Sequence, residues 1–154
     1  MITFDNVSIV FGSEPNRALP LMDAGQIRPE IQEATGQILG VHNCSLEVDE
    51  GEILVLMGLS GSGKSTLLRA INGLNPLARG AVHITRDGTT TNITTCSKSA
   101  LRDMRLSTVS MVFQQFGLLP WRTVAENVGL GLELAGIPKA EISERVAAQL
   151  ELVG

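Results

Sequence analysis

Residues 58–65, GLSGSGKS, limit what this chain can fold into more than any other stretch. Three glycines and a lysine follow the apolar run Ile53-Leu54-Val55-Leu56-Met57, and Leu67, Leu68 and Ile71 then recur at helical spacing. An apolar run of that length predicts a buried strand, and the later spacing predicts a helix over 65–72, closed by Gly73 and Pro76. Between them stands G-x-x-x-x-G-K-[ST]. Gly58, Gly61 and Gly63 let the backbone curl through conformations that side chains resist, and its N–H groups then surround a space. A helix N-terminus beside that space favours an anion. Lys64 is placed to reach β- and γ-phosphate oxygens, Ser65 to give its hydroxyl to Mg²⁺, and Thr66 to meet the α-phosphate side. Leu59, Ser60 and Ser62 contribute backbone to the same loop. The bland alternative is a tight strand-to-helix turn with a solvated lysine. The complete pattern between strand and helix favours a nucleotide triphosphate.

The rest of the chain organises around that loop. Residues 2–11 read as a strand with a slip at Asp5-Asn6 that predicts a bulge. An insert occupies 13–40, with a short helix from Arg28 to Thr35, Pro29 in its first turn and Gly36 beyond its end. A second strand is expected from about Val41 to Val48, a third over 81–85 followed by the turn Arg86-Asp87-Gly88, and a weak strand or loop over the polar TTTNITT. Ser97 caps a helix to about Arg105, and TVSMVF at 108–113 reads as another strong strand. Thr123 and Glu126 form a T-x-x-E capping box. A last helix is expected over 140–152 with Ile142, Val146 and Leu150 on one face. Lys98, Arg102 and Arg105 read as a solvated helix face.

With 154 residues the chain is about one domain long. Its net charge of −4 and its 3% aromatic content weigh against nucleic acid as a partner, since that needs a basic face or stacking aromatics. Cys44 and Cys96 are far apart and His42 and His83 isolated, so no metal-ligand spacing is present and the thiols read as reduced. No window approaches the roughly 18 apolar residues of a membrane span, and the N-terminus has no signal-peptide pattern. These features predict a cytosolic chain.

Gln114 directly follows the strand expected at 108–113, where the ligand crevice of an α/β sheet lies, and is a candidate for the Mg²⁺ shell; otherwise it is a polar loop residue. Phe116, Leu118, Leu119 and Trp121 either fill a local core or form an apolar surface for a partner. Phe11 ends the first strand, with core packing and stacking on an adenine ring as the two alternatives, and the residues alone favour packing.

Together the phosphate loop, MVFQQF at 111–116 and LLPWRTVAENV at 118–128 resemble the ATP-binding subunits of ABC importers. Leu59 within MGLSGSGKST, the insert LPLMDAGQIRPEIQEATGQILGV and GLGLELAGIP at 129–138 are similar to the subfamily that imports quaternary amines such as choline, glycine betaine and proline betaine. The resemblance implies an α/β P-loop NTPase fold of ABC ATPase type, with residues 1–113 as nucleotide-binding core, 114–122 as the Q-loop and 123–154 as the start of a helical subdomain. It implies ATP and Mg²⁺ as cofactors, Phe11 as the adenine-stacking aromatic, 58–66 as the phosphate loop, and Ser65 and Gln114 at the metal. Residues 116–122 and the following helix correspond to the groove that receives a permease. Expected partners are that integral membrane permease, a second ATP-binding subunit and, indirectly, a solute-binding protein, which places the chain on the inner face of the membrane.

The family's signature sequence, Walker B acid pair and switch histidine do not occur before Gly154. This is the pattern expected of an N-terminal portion. Lys64 and Gln114 assist catalysis but supply no general base, so this portion is expected to bind nucleotide weakly and hydrolyse it hardly at all. A small P-loop kinase is the rival enzyme, though no Arg-rich lid follows residue 105. A non-catalytic interaction module is the rival from another class.

Overall fold

In strand β1 (Ile2–Phe11), Val7, Ser8, Ile9 and Val10 are all buried, which breaks the alternation a one-faced sheet would show. Both faces are covered. Ile9 joins a cluster with Phe4, Val7, Val82, Ile84, Ile93 and, from the helix after the glycine loop, Leu67 and Ala70. Val10 joins a second cluster with Ala18, Met22 and Ile31, all from the insert. The computed structural model describes every residue except Phe116. Within it the chain forms two compact units, Met1–Val109 and Ser110–Gly154.

The first unit is built on an antiparallel sheet ordered β2-β1-β3-β4, with β2 at Ile38–Val48, β3 at Arg79–Arg86 and β4 at Thr89–Asn92. The predicted slip in β1 is present. Its pairing with β2 shifts between Phe4 and Val7, where Asn6 has φ 48° and donates its N–H to Ser45 Oγ at 2.9 Å. Asp87 and Gly88 both have positive φ, the two-residue hairpin geometry that matches sheet twist, so β3 and β4 pair directly.

The insert holds a 3-10 turn at Pro15–Ala18, helix α1 at Leu19–Asp23 and helix α2 at Arg28–Thr35. Helix α2 begins and ends where its sequence predicts: Pro occupies its first turn and Gly36 follows at φ 69°. Arg79 ties α1 to the sheet through a two-pronged bond to Asp23 at 2.9 and 2.8 Å. That guanidinium holds the Asp23 carboxyl below its ordinary range. Helix α3 (Lys64–Ile71) buries Leu67 and Ala70, whereas Leu68, expected on the core face, is exposed. A 3.6-residue period puts 67, 70 and 71 together and turns 68 toward the rim.

Helix α4 (Lys98–Ser107) starts on Ser97, whose Oγ accepts from Ala100 N at 3.1 Å. Arg105 is more than part of a solvated face. Its Nε donates to the Asn72 carbonyl at 2.8 Å and its Nη2 to that of Gly73 at 3.2 Å, satisfying carbonyls at the C-terminal end of α3.

Two expected strands do not form. Residues 53–57 and 108–113 are extended or irregular chain outside the sheet. Ile53 is 90%, Met57 88% and Val112 97% exposed, and only Leu56 and Val109 rest against the first core. A strand requires a neighbour for its backbone groups, and among the described residues none pairs with either run.

In the second unit α5 (Val124–Leu134) packs on α6 (Lys139–Val153) through Gly129, where a Cβ would stand 2.9 Å from Ile142 Cγ2. Val146 is buried there, with Ile142 and Leu150 partly covered beside it as their spacing predicts. The capping box is formed: Glu126 N donates to Thr123 Oγ1 at 3.3 Å and Thr123 N to Glu126 Oε2 at 2.7 Å. These bonds from Thr123 hold the Glu126 carboxyl below its ordinary range, and Arg122 does the same for Glu133. Because both carboxyls are lowered in the folded chain, they stabilise it at neutral pH and stop doing so as pH falls through their folded values. Helicity of the second unit, followed by circular dichroism, is therefore expected to stay flat down to about pH 5 and to decline below about pH 4. Glu126→Gln keeps an acceptor and should blunt that decline; an unchanged acid profile would show that the box does not govern it.

Candidate nucleotide site

The glycine loop has the backbone its sequence calls for. Gly58 has φ 151°, Gly61 77° and Gly63 97°, so each stands where an L side chain would be strained. Gly63 also needs to be glycine for space, since a Cβ would lie 2.6 Å from the Gly40 carbonyl oxygen of β2. Ser62 N–H donates to the Leu59 carbonyl at 3.2 Å, making a tight turn at the loop's apex. Gly63 N-caps α3 without a capping side chain, which leaves the positive end of the helix facing the loop.

Lys64 folds back over this turn instead of extending into solvent. Its Nζ donates to the carbonyls of Gly58 at 2.8 Å and Leu59 at 2.7 Å and lies 3.2 Å from Ser62 Oγ. One ammonium is thereby held at the mouth of the loop. Ser65, in the first turn of α3, is exposed, and Thr66 beside it is partly covered. The cradle fits a phosphate chain: its curvature depends on residues without Cβ atoms, it carries a cation, and a helix N-terminus completes it.

Phe11 is not a core residue. It is 38% exposed at the end of β1, opposite Ile38 of β2. A Cβ at Gly40 would stand 3.0 Å from Phe11 Cε2 and 3.1 Å from Thr66 Cγ2, so both side chains close over that glycine. The aromatic ring and the first turn of α3 therefore meet at one point on β2.

Sequence pattern gave no role to Arg28. This residue opens α2, where a cation opposes the helix dipole, and that misfit is the one signal that its charge serves elsewhere. Its Nη2 donates to the Gly40 carbonyl at 2.9 Å and its Nη1 to the Gly61 carbonyl at 2.5 Å.

Gln114 belongs to the second unit and is exposed in a bend over 114–115. In the same unit Leu118, Trp121, Val124 and Val128 are exposed apolar residues. The assignment of Phe116 to this surface lies outside the described residues. Asn127 holds the segment in place, accepting from Leu119 N at 2.8 Å and donating to the Leu119, Arg122 and Thr123 carbonyls at 3.0–3.1 Å. The result is a groove of about 210 Å³ lined by Leu118, Leu119, Pro120, Val124 and Val128 among others. No group of three or more His, Cys, Asp or Glu side chains suited to a metal ion occurs among the described residues.

Comparison with known proteins gives the family and the fold. The family model described as ABC transporter matches residues 41–154. The chain is 44% identical over 153 residues to the glycine betaine transport ATP-binding protein OpuAA of Bacillus subtilis, covering 99% of this chain and 36% of that protein. It is likewise 44% identical over 149 residues to the glycine betaine/proline betaine transport system ATP-binding protein ProV of Escherichia coli, covering 97% and 36%. The chain thus spans about a third of the length of these curated relatives. Among solved structures, the ATP-binding cassette MJ0796, in a dimeric post-hydrolysis state bound to ADP and Pi, superposes with a TM-score of 0.73 at 28% identity, over 98% of this chain and 56% of that one. The α/β P-loop expectation holds, and with a family match over more than half its length the chain belongs to the ABC transporter family, as part of an ATP-binding cassette.

Proposed function

We propose that the chain is the nucleotide-binding part of an ATP-driven importer of a quaternary amine such as choline or glycine betaine. The observation that carries the reading is the phosphate loop with Lys64 curled over it, in a chain whose relatives are named as glycine betaine transport ATP-binding proteins. Residues 58–66 bind the phosphates through backbone N–H groups, Lys64 adds the charge, and Phe11 offers a face for the adenine. Ser65 would give its hydroxyl to Mg²⁺, which would supply charge neutralisation of the phosphates. Lys64 and Gln114 assist hydrolysis without serving as its base.

The same reading gives the groove at Leu118–Val128 to an integral membrane permease. Its exposed apolar residues Leu118, Val124 and Val128 give it the anatomy of an anchor surface. A second ATP-binding subunit completes the site, and a solute-binding protein acts through the permease. No helix of the described residues is long and apolar enough to cross a membrane. In this reading the permease is what holds the chain at the inner face.

Titration of the purified chain with a fluorescent ATP analogue and Mg²⁺ tests the site. Saturable binding that unlabelled ATP displaces is expected; its absence would overturn the nucleotide reading. Hydrolysis is expected to be barely detectable in the chain alone. Uptake of labelled choline and glycine betaine, measured in cells with this coding sequence intact or carrying Lys64→Ala, tests the transport reading. Equal uptake in both would remove it and leave the kinase alternative to be assayed.

A further inference from the structure

We propose that the insert is part of the nucleotide site, and that Arg28 is the positioning residue through which helix α2 locks the phosphate loop onto β2. The inference rests on the nucleotide reading above and adds a component to it. Arg28 bridges two backbone oxygens that belong to different elements, the Gly61 carbonyl at the apex of the loop and the Gly40 carbonyl in β2. Those elements already touch there, because Gly63 packs directly on the Gly40 carbonyl. The guanidinium fork suits this task, since its fixed geometry serves two acceptors at once and its positive charge strengthens both bonds.

The consequence for the loop follows from peptide geometry. A peptide unit is planar and trans, so its carbonyl and its N–H are fixed on opposite sides. Arg28 holds the carbonyl end of the Gly61–Ser62 peptide, and the Ser62 N–H at the other end closes the turn onto Leu59. Holding one end therefore sets the other. The Leu59 carbonyl that accepts this bond also accepts from Lys64 Nζ, so the peptide, the turn and the ammonium form one connected unit. Gly61 has φ 77° and nothing within 4 Å of where a Cβ would be, so this apex has no packing of its own to keep it in place. Without Arg28, binding would have to begin by ordering a glycine-rich turn, and affinity would fall by the entropy of that step.

Helix α2 can bear the load. Ile31, fully buried, anchors it in the cluster with Val10, Ala18 and Met22, and Glu30 accepts from Ile27 N at 3.0 Å at its start. Arg28 thus projects from a helix fixed to the sheet. Its placement at the first helical position, against the dipole, is explained by the two carbonyls it reaches.

The test compares wild type, Arg28→Gln, Arg28→Lys and Lys64→Ala by titration with fluorescent ATP and ADP analogues, beside thermal unfolding without nucleotide. Arg28→Gln is expected to weaken both analogues by roughly five- to tenfold, the net worth of about one ordinary hydrogen bond at this solvent-exposed position, and to move the unfolding midpoint by less than about 2 °C. Both analogues should lose equally, because the clamp acts on the loop and not on the terminal phosphate. Arg28→Lys, which reaches one carbonyl, should lose roughly two- to threefold. Wild-type affinity in Arg28→Gln, with Lys64→Ala impaired, would overturn the clamp and leave the nucleotide site standing. Should wild type bind no nucleotide, amide hydrogen exchange over 59–63 still decides the matter. Faster exchange in Arg28→Gln supports the clamp, and unchanged exchange overturns it.

Discussion

Replacement of Lys64 by alanine is expected to weaken binding of an ATP analogue about 100-fold while leaving the fold intact. The size follows from what is lost. Lys64 carries the ammonium at the mouth of the loop, and a charged donor to a phosphate in a partly enclosed site contributes about 2–3 kcal/mol. The backbone N–H groups and the helix end remain, so binding should be reduced and not abolished. Stability should change little: Nζ bonds only loop carbonyls and Ser62 Oγ, all close to solvent, and water can replace it there. Lys64→Arg is expected to be nearly as poor as Lys64→Ala, since a guanidinium fork does not fit where a compact ammonium curls back on residues five and six positions earlier. Equilibrium titration with ATP, ADP and AMP analogues reads the effect. Discrimination should be largest for ATP and nearly absent for AMP. Equal affinities of wild type and Lys64→Ala for ATP would sink the assignment of this loop as a phosphate site.

Turns, caps and helix ends are legible in the sequence because they are local. The slip at Asp5-Asn6, the Pro29 start and Gly36 end of α2, the Asp87-Gly88 turn and the Thr123/Glu126 box each depend on a few neighbouring residues, and each forms where its pattern stands. The apolar runs at 53–57 and 108–113 are different. Their composition says that they favour burial, but a strand exists only if another segment lies alongside, and no periodicity within the run carries that information. Arg28 and Arg105 were illegible for a related reason. Each acts on carbonyls more than ten residues away, and only the folded chain brings donor and acceptor together. Phe11 shows the converse. Its position at the strand end was plain, whereas its contact with Gly40 and Thr66, which no local pattern connects, is visible only in the folded chain.

The contact between the loop and β2 makes Gly63 the position where a single methyl group should do most damage. Two effects add at Gly63→Ala. A φ of 97° costs an alanine about 1–2 kcal/mol, and the new Cβ would stand 2.6 Å from the Gly40 carbonyl oxygen. That oxygen cannot swing aside as a flexible side chain would. Gly40 is buried and hemmed in on its own account, with Phe11, the Ile9 carbonyl and Thr66 all about 3 Å from where its Cβ would be. The loop must therefore lift off β2, taking the first turn of α3 with it and breaking the Arg28 bridge. A destabilisation of about 2–4 kcal/mol is expected, read as a lower midpoint in denaturant at unchanged slope, together with loss of measurable nucleotide binding. Gly61→Ala is the control that isolates the contact from the backbone strain. Gly61 also has positive φ, but nothing lies within 4 Å of its Cβ position, so it should lose only about 1–2 kcal/mol. If the two variants were equally stable, backbone conformation alone would account for both glycines, and close packing of the loop on β2 would have no part in holding the site.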